Sequence, residues 1–316
     1  MPDRIQFDRI RVWLPLITLV VLCVLIGILQ PAFLRGSTLL QLASDTAVLF
    51  VLATGVSFVI MIGGIDLSIQ SMASLASVIV ALTLDRLGYG AFALAILVGA
   101  VAGWLGGLAH VKLKIPSFIA TLALGGVLAG TALVISRQRS ITLVDTQREY
   151  LTWITGRTFG LPNEVIVAAI VLLIAHVVQS RTRFGRYSAA IGAGEAAAYA
   201  SGVKVDRQKV IAFVLSASCA AFAGVILAGR LASGSPTLAS ELLLPAIAAV
   251  VVGGTAITGG VGSIWRTLVG ALIISVVRIG MTFVGVDIFA QQIVFGAMLV
   301  FAVAVTIDRS KIPVVK

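Results

Sequence analysis

Apolar runs of close to twenty residues recur along the whole chain, and no other feature so restricts the fold. Covering a hydrocarbon core of about 30 Å takes a helix of roughly 20 mainly apolar residues. Runs that meet this need, once short polar connections are removed, fall at 13–29, 46–63, 67–84, 90–110, 117–136, 162–179, 209–230, 243–258, 265–284 and 288–307. In lipid every backbone amide and carbonyl must be satisfied within the protein, so each open-ended run is expected to be a helix. The expectation is an all-α integral membrane protein of about ten transmembrane helices, with residues 1–316 as one transmembrane domain. Composition agrees: 59% apolar and 11% charged residues, with a mean hydropathy of +1.11, exceed what a soluble core could bury. Only the N-terminus, 137–160, 181–209 and the C-terminus remain for work outside the membrane.

The net charge of +10 would suit a nucleic-acid partner in a soluble protein, but here the basic residues sit in short loops between apolar runs. The expected partner is therefore the bilayer and not nucleic acid. Ten crossings that start inside leave both termini in the cytoplasm. That topology puts fifteen Lys and Arg residues inside, from Arg4, Arg9 and Arg11 to Arg309, Lys311 and Lys316. Six lie outside, namely Arg35, Arg86, Arg137, Arg139, Arg148 and Arg157, so the excess is on the side the positive-inside rule requires. The run Trp13–Leu29 follows three arginines as a secretory signal would, yet Gln30, Pro31 and Phe33 replace a small-residue cleavage site. It reads as a retained first span.

Two segments read as broken membrane helices: Ile62-Gly63-Gly64-Ile65-Asp66-Leu67-Ser68, and the run from Gly253, Gly254 and Thr255 to Gly262. Glycine at this density permits turns and close backbone approach, and in transporters such breaks often line the path. The alternative is close packing of helices through small residues, as expected also for Gly99, Gly103 and Gly107. Ionisable groups inside spans are costly, which makes Asp66, Glu241, Arg230 and Arg278 the functional candidates. Asp66 could be a ligand or a helix cap ahead of Leu67 and Ser68. Glu241 could be an entrance residue or an ordinary interfacial charge.

Chemistry by this chain finds no support. The second break lacks the Gly-Lys-Ser/Thr ending of a phosphate loop, and His110 and His176 lie near span ends without catalytic company. Cys23 and Cys219 sit in apolar segments without metal-ligand or redox spacing, so no metal site is expected. A carrier driven by protons or sodium usually needs midplane carboxylates, and beyond Asp66 few are present. The energy source is then expected elsewhere, and 181–209 is the one long inner connection able to receive a partner. Within it Glu195-Ala196-Ala197-Ala198-Tyr199-Ala200 reads as a short helix with an acidic first turn, between Gly194 and Gly202. It could seat in a partner's groove or lie on the membrane surface.

At this loop the sequence resembles the permease subunits of bacterial ABC importers, in the ribose and simple-sugar branch related to the branched-chain amino-acid permeases. The matching positions are Gly185, Arg186, Tyr187, Gly192, Glu195, Ala196, Ala197, Ser201, Gly202 and Val203. Three further stretches are similar: FVIMIGGIDLSIQSMASLASVIVA from Phe58, PSFIATLALGGVLAG from Pro116 and AIAAVVVGGTAITGGVGS from Ala246. FGLPNEV from Phe159 is similar to the family's outer loop before the sixth span. The chain departs from the family pattern at Pro245 and at Trp265-Arg266.

The resemblance implies a binding-protein-dependent importer in a bacterial cytoplasmic membrane. Its parts would be two permease subunits, an ABC ATPase holding ATP and Mg, and a soluble extracellular or periplasmic sugar-binding protein. Loop 181–209 would carry the coupling helix, with Gly63, Gly64, Asp66, Ser68, Glu241, Gly253, Gly254 and Thr255 along the path. Outer segments 137–160 and 231–241 would receive the binding protein. The cargo would be a monosaccharide, with branched-chain amino acids as the alternative. A self-sufficient secondary carrier is the alternative from another class.

Overall fold

The computed structural model describes the backbone of residues 2–306 and the side chains of residues 13–304. Arg309, Lys311, Lys316 and the expected cytoplasmic C-terminus lie outside the described residues, as do the side chains of Arg4, Arg9 and Arg11. The helices are α1 Pro2–Leu29, α2 Gly36–Met61, α3 Ile69–Leu87, α4 Gly90–Lys112, α5 Ser117–Ile135, α6 Asp145–Glu149 and α7 Thr152–Thr155. They continue as α8 Asn163–Arg181, α9 Arg183–Ala193, α10 Glu195–Ala200, α11 Val205–Arg230, α12 Leu243–Val252, α13 Ile264–Phe283 and α14 Ile288–Thr306. Strand among the described residues is limited to two antiparallel pairs of two residues each: β1 Ile141–Thr142 with β4 Ser233–Gly234, and β2 Arg157–Thr158 with β3 Leu161–Pro162.

Among the described residues six helices, α2, α4, α5, α8, α11 and α13, are long and apolar enough to cross a membrane. Shorter apolar stretches at Trp13–Leu29, Ser240–Val252 and Ile288–Ala304 accompany them. The fold is that of an all-α, multi-pass membrane protein, with two corrections to the expected spans. The span expected at 243–258 is not one: α12 stops at Val252 after 10 residues. At 1.5 Å per residue it covers about 15 Å, half the hydrocarbon core. Continuation fails because Gly254 turns to φ +92° and the chain lies so close to α13 that a Cβ on Gly253 would sit 2.3 Å from the Arg266 carbonyl oxygen. The second span starts at Gly36 and not at 46. Asp45 interrupts the apolar run in sequence, but its carboxylate pairs with Arg230 of α11, so the helix runs through it.

Helix α2 is the central post, with 94% of its apolar window buried against 22% for α8 and 28% for α5, whose outer faces are left for lipid or another subunit. It packs on α8, α11, α12 and α13. Lipid supplies no hydrophobic drive between helices, so small residues and tight contact must hold them. The α4–α11 contact follows this rule through Gly99, Gly103 and Gly107. A Cβ at Gly103 would lie 2.3 Å from the Phe213 carbonyl oxygen, and one at Gly99 would lie 2.7 Å from that of Ala217. The 26-residue α11 separates two working ends. At one end α9 and α10 form an elbow between α8 and α11. At the other, β1–β4 joins the segments 137–160 and 231–241, which α3 holds: the Ser235 amide donates to Ser77 Oγ (3.2 Å) and the Ala239 amide to Ser74 Oγ (3.0 Å).

Candidate functional site

The first break forms because α2 ends at Met61 and Gly63 takes φ +79°, a left-handed turn open to glycine at little cost. The chain then runs without helix to Ile69, which exposes amides that a helix would have satisfied. Helix α5 supplies the partners: the Ile65 amide donates to Ser117 Oγ and the Leu67 amide to Thr121 Oγ1, each at 3.0 Å. The hydroxyls of Pro-Ser-Phe-Ile-Ala-Thr thus replace lost helical carbonyls. Asp66 is buried, and its Oδ1 accepts from the Ser68 amide (2.9 Å) and Ser68 Oγ (2.6 Å). This is a side-chain turn just ahead of α3, whose N-cap residue is Ser68.

Residues 253–263 make the second break, with Gly254, Gly259 and Gly260 all at positive φ. The loop is held from three sides. The Gly260 amide donates to the Met61 carbonyl at 3.0 Å, which joins the second break to the end of α2. Gln179, near the end of α8, spans the exit: its Nε2 donates to the Gly262 carbonyl (2.8 Å) and its Oε1 accepts from the Ile264 amide (2.9 Å). Gly192 of α9 presses on the same place, since a Cβ there would lie 2.1 Å from both the Gly260 nitrogen and the Met61 oxygen. Gly63 joins this contact, since a Cβ on Gly259 would lie only 2.7 Å from the Gly63 nitrogen. Thr255 is fully buried, and its hydroxyl has no partner among the described residues.

The elbow divides into an inward and an outward face. Gly185 is buried, and a Cβ on it would meet the Gln179 carbonyl oxygen at 1.8 Å. Gln208 of α11 donates to the Phe184 carbonyl (2.8 Å) and to Ser188 Oγ (3.1 Å), fastening α9. Lys209 Nζ lies 2.8 and 2.7 Å from the Glu195 carboxylate oxygens, fastening α10. Outward and exposed stand Arg186, Tyr187, Ala196, Ala197, Tyr199, Ser201 and Gly202. With six basic and two acidic residues, 181–209 is also the strongest positive loop.

The remaining candidates lie apart from this junction. Glu241 is exposed in the turn Ser240–Leu242, at the far end of α12 from the second break, and Gln292 of α14 donates to its carboxylate. Arg230 is taken up by Asp45. Arg278 lines an open cleft of about 420 Å³ with Ser37, Thr38, Gln41 and Asp45, at the other end of α2. No group of three or more His, Cys, Asp or Glu able to hold a metal occurs among the described residues.

Two broken helices meet the elbow of α9 and α10, and comparison with known proteins gives the family. Residues 38–303 match the family described as branched-chain amino acid transport system / permease component. The chain belongs to this permease family. The Bacillus subtilis protein named Ribose import permease protein RbsC is 39% identical over 314 residues, 98% of this chain and 96% of that protein. L-arabinose transport system permease protein AraH of Escherichia coli is 34% identical, covering 97% of this chain and 94% of its own length. Fructose import permease protein FrcC of Rhizobium meliloti is 32% identical, covering 92% and 84%.

In the permease, Gly63, Gly64, Asp66, Ser68, Gly253, Gly254 and Thr255 fall on two touching breaks, while Glu241 stands about 15 Å away along α12. Of the loop residues, Gly185 and Gly192 serve packing within the chain, and Glu195 is engaged by Lys209. Two contributors escaped the sequence reading: Gln179 and helix α9. An amide on an otherwise apolar helix beside a glycine break is the signal that points to Gln179.

Proposed function

We propose that the chain is the membrane subunit of an ATP-driven importer of a monosaccharide. The observation that carries this reading is its 32–39% identity, over nearly its whole length, to proteins named as ribose, arabinose and fructose permeases. The elbow's outward face, Arg186, Tyr187, Ala196, Ala197, Tyr199 and Ser201, would dock on an ABC ATPase that binds ATP and Mg. The segments tied by β1–β4 would receive a sugar-loaded binding protein, and a second permease subunit would complete the path between the breaks. Closure of the ATPase would push the elbow, and the elbow would move both breaks, a rigid-body switch of helices.

The scarcity of carboxylates within the apolar spans, few beyond Asp66, favours outside energy over an ion gradient. The test is co-purification in mild detergent, then reconstitution with the recovered ATPase and binding protein. Sugar-stimulated ATP hydrolysis with uptake is the expected result. Stimulation by leucine or isoleucine in place of sugars would reassign the cargo to the class in the family's description. Transport by the chain alone without ATP would refute the importer reading.

A further inference from the structure

Gln179 does more than end a helix. Its amide bonds at once to the last carbonyl of the second break, Gly262, and to the first amide of α13, Ile264. Loop 253–263 has few bonds of its own to hold a shape: beside three left-handed glycines, the Ala256 amide donates to the Val261 carbonyl and the Gly259 amide to the Ala256 carbonyl, each at 2.9 Å. Its outer supports come from three elements, Met61 of α2, Gly192 of α9 and Gln179 of α8. The first two contacts join the loop to α2 and the elbow. Gln179 joins it through two side-chain hydrogen bonds, four residues before the elbow begins at Arg183.

We propose that Gln179 is a positioning residue, a latch that holds the second break against α8 and α13 so that elbow movement alters the break in one defined way. The coupling part of this role rests on the importer reading; the holding part does not. Gly185 places the latch, because its missing side chain lets α9 fold back onto the Gln179 backbone, with a Cβ there excluded at 1.8 Å. Elbow and latch are therefore in backbone contact, and α9 cannot tilt without disturbing Gln179. A side-chain amide suits the task, since it supplies one donor and one acceptor on a single rigid plane to two backbone groups two residues apart. Both bonds can break and re-form as the amide rotates, which a covalent link does not allow.

The experiment compares Gln179→Leu, which keeps bulk but neither bond, with Gln179→Glu, which keeps the acceptor for the Ile264 amide and loses the donor. In the reconstituted complex, the expected sugar delivered per ATP hydrolysed falls about five-fold in Gln179→Leu, with Gln179→Glu between it and the wild type. A role in stability alone would lower yield and melting temperature and leave that ratio unchanged, which overturns the proposal. Hydrogen exchange of 253–264 in the permease alone is the independent reading, with the Ile264 amide exchanging faster in Gln179→Leu. Unchanged exchange there overturns the latch whatever transport does. Wild-type protein that takes up no sugar with ATP would sink the importer reading instead, and the exchange experiment would still judge the latch.

Discussion

Adding one methyl group at Gly192 is the sharpest probe of the junction. In Gly192→Ala the new Cβ would lie 2.1 Å from the Gly260 nitrogen and from the Met61 oxygen, and 2.8 Å from the Gly259 carbonyl carbon. Ordinary contact needs about 3.5 Å, so α9 must retreat by about 1.4 Å or the Gly260–Met61 hydrogen bond must open. Every atom met is backbone, so no rotamer change relieves the clash. Overpacking of this kind costs about 1–3 kcal/mol, and the hydrogen bond, if lost, about 1 kcal/mol more. The sum, about 2–4 kcal/mol, would depopulate the seated elbow by roughly 30-fold to several hundred-fold. ATP-coupled uptake in vesicles should fall at least ten-fold, on the order of the lower bound. Gly296→Ala in α14 is the control, because nothing lies within 4 Å of its added Cβ and the helix gains propensity. If Gly192→Ala melts and transports like Gly296→Ala, the three-way backbone contact has no mechanical role.

Four more outcomes follow from the geometry. Replacing Ser117 by Ala or Thr121 by Val orphans the Ile65 or Leu67 amide, and each should lower stability by about 1–3 kcal/mol, with faster hydrogen exchange confined to 62–68. Asp45→Asn and Arg230→Met should each destabilise the α2–α11 contact by about 1–3 kcal/mol, whereas the double variant should lose less than their sum in thermal melts. Glu195→Lys should depress coupled uptake by setting two lysines together, and Lys209→Glu added to it should restore uptake; failure of that rescue would mean that Glu195 also touches the partner. Gly254→Leu forces a branched side chain to φ +92° and should abolish transport while the protein still inserts, as assayed by membrane fractionation and uptake.

Hydropathy made the apolar helices legible, and glycine density located both breaks, because each signal is local. The helix expected from Glu195 to Ala200 is α10 at the same residues for the same reason. What sequence concealed was set by distant partners. Asp45 looks like the edge of a loop until Arg230, 185 positions away, pairs with it. The run 243–258 looks like a span until backbone contact with Arg266 halts α12 midway. Helix α9 hides behind the polar composition of Arg183-Phe184-Gly185-Arg186, whose amphipathic order has meaning only once one face meets α11. The two motif glycines, Gly185 and Gly192, carry the family resemblance in sequence, yet their contacts are internal and backbone to backbone.

Those contacts bear on how force could cross the protein. A junction of long side chains would absorb a displacement of a few tenths of an ångström by rotamer adjustment, since exposed side chains change rotamer on the fastest time scales. At Gly63, Gly192, Gly259 and Gly260 there are no side chains to adjust, and backbones touch directly. Displacement of α9 must therefore appear as displacement of the second break and of the end of α2. Gln208 and Lys209 bind the elbow to the foot of α11, so that helix moves with it. Helix α11 in turn packs along α2, α3 and α4 and reaches the opposite end at Arg230. On the importer reading, one push at the elbow thus reaches the breaks locally and the binding-protein side remotely, through close-packed helices that shift between discrete arrangements instead of deforming.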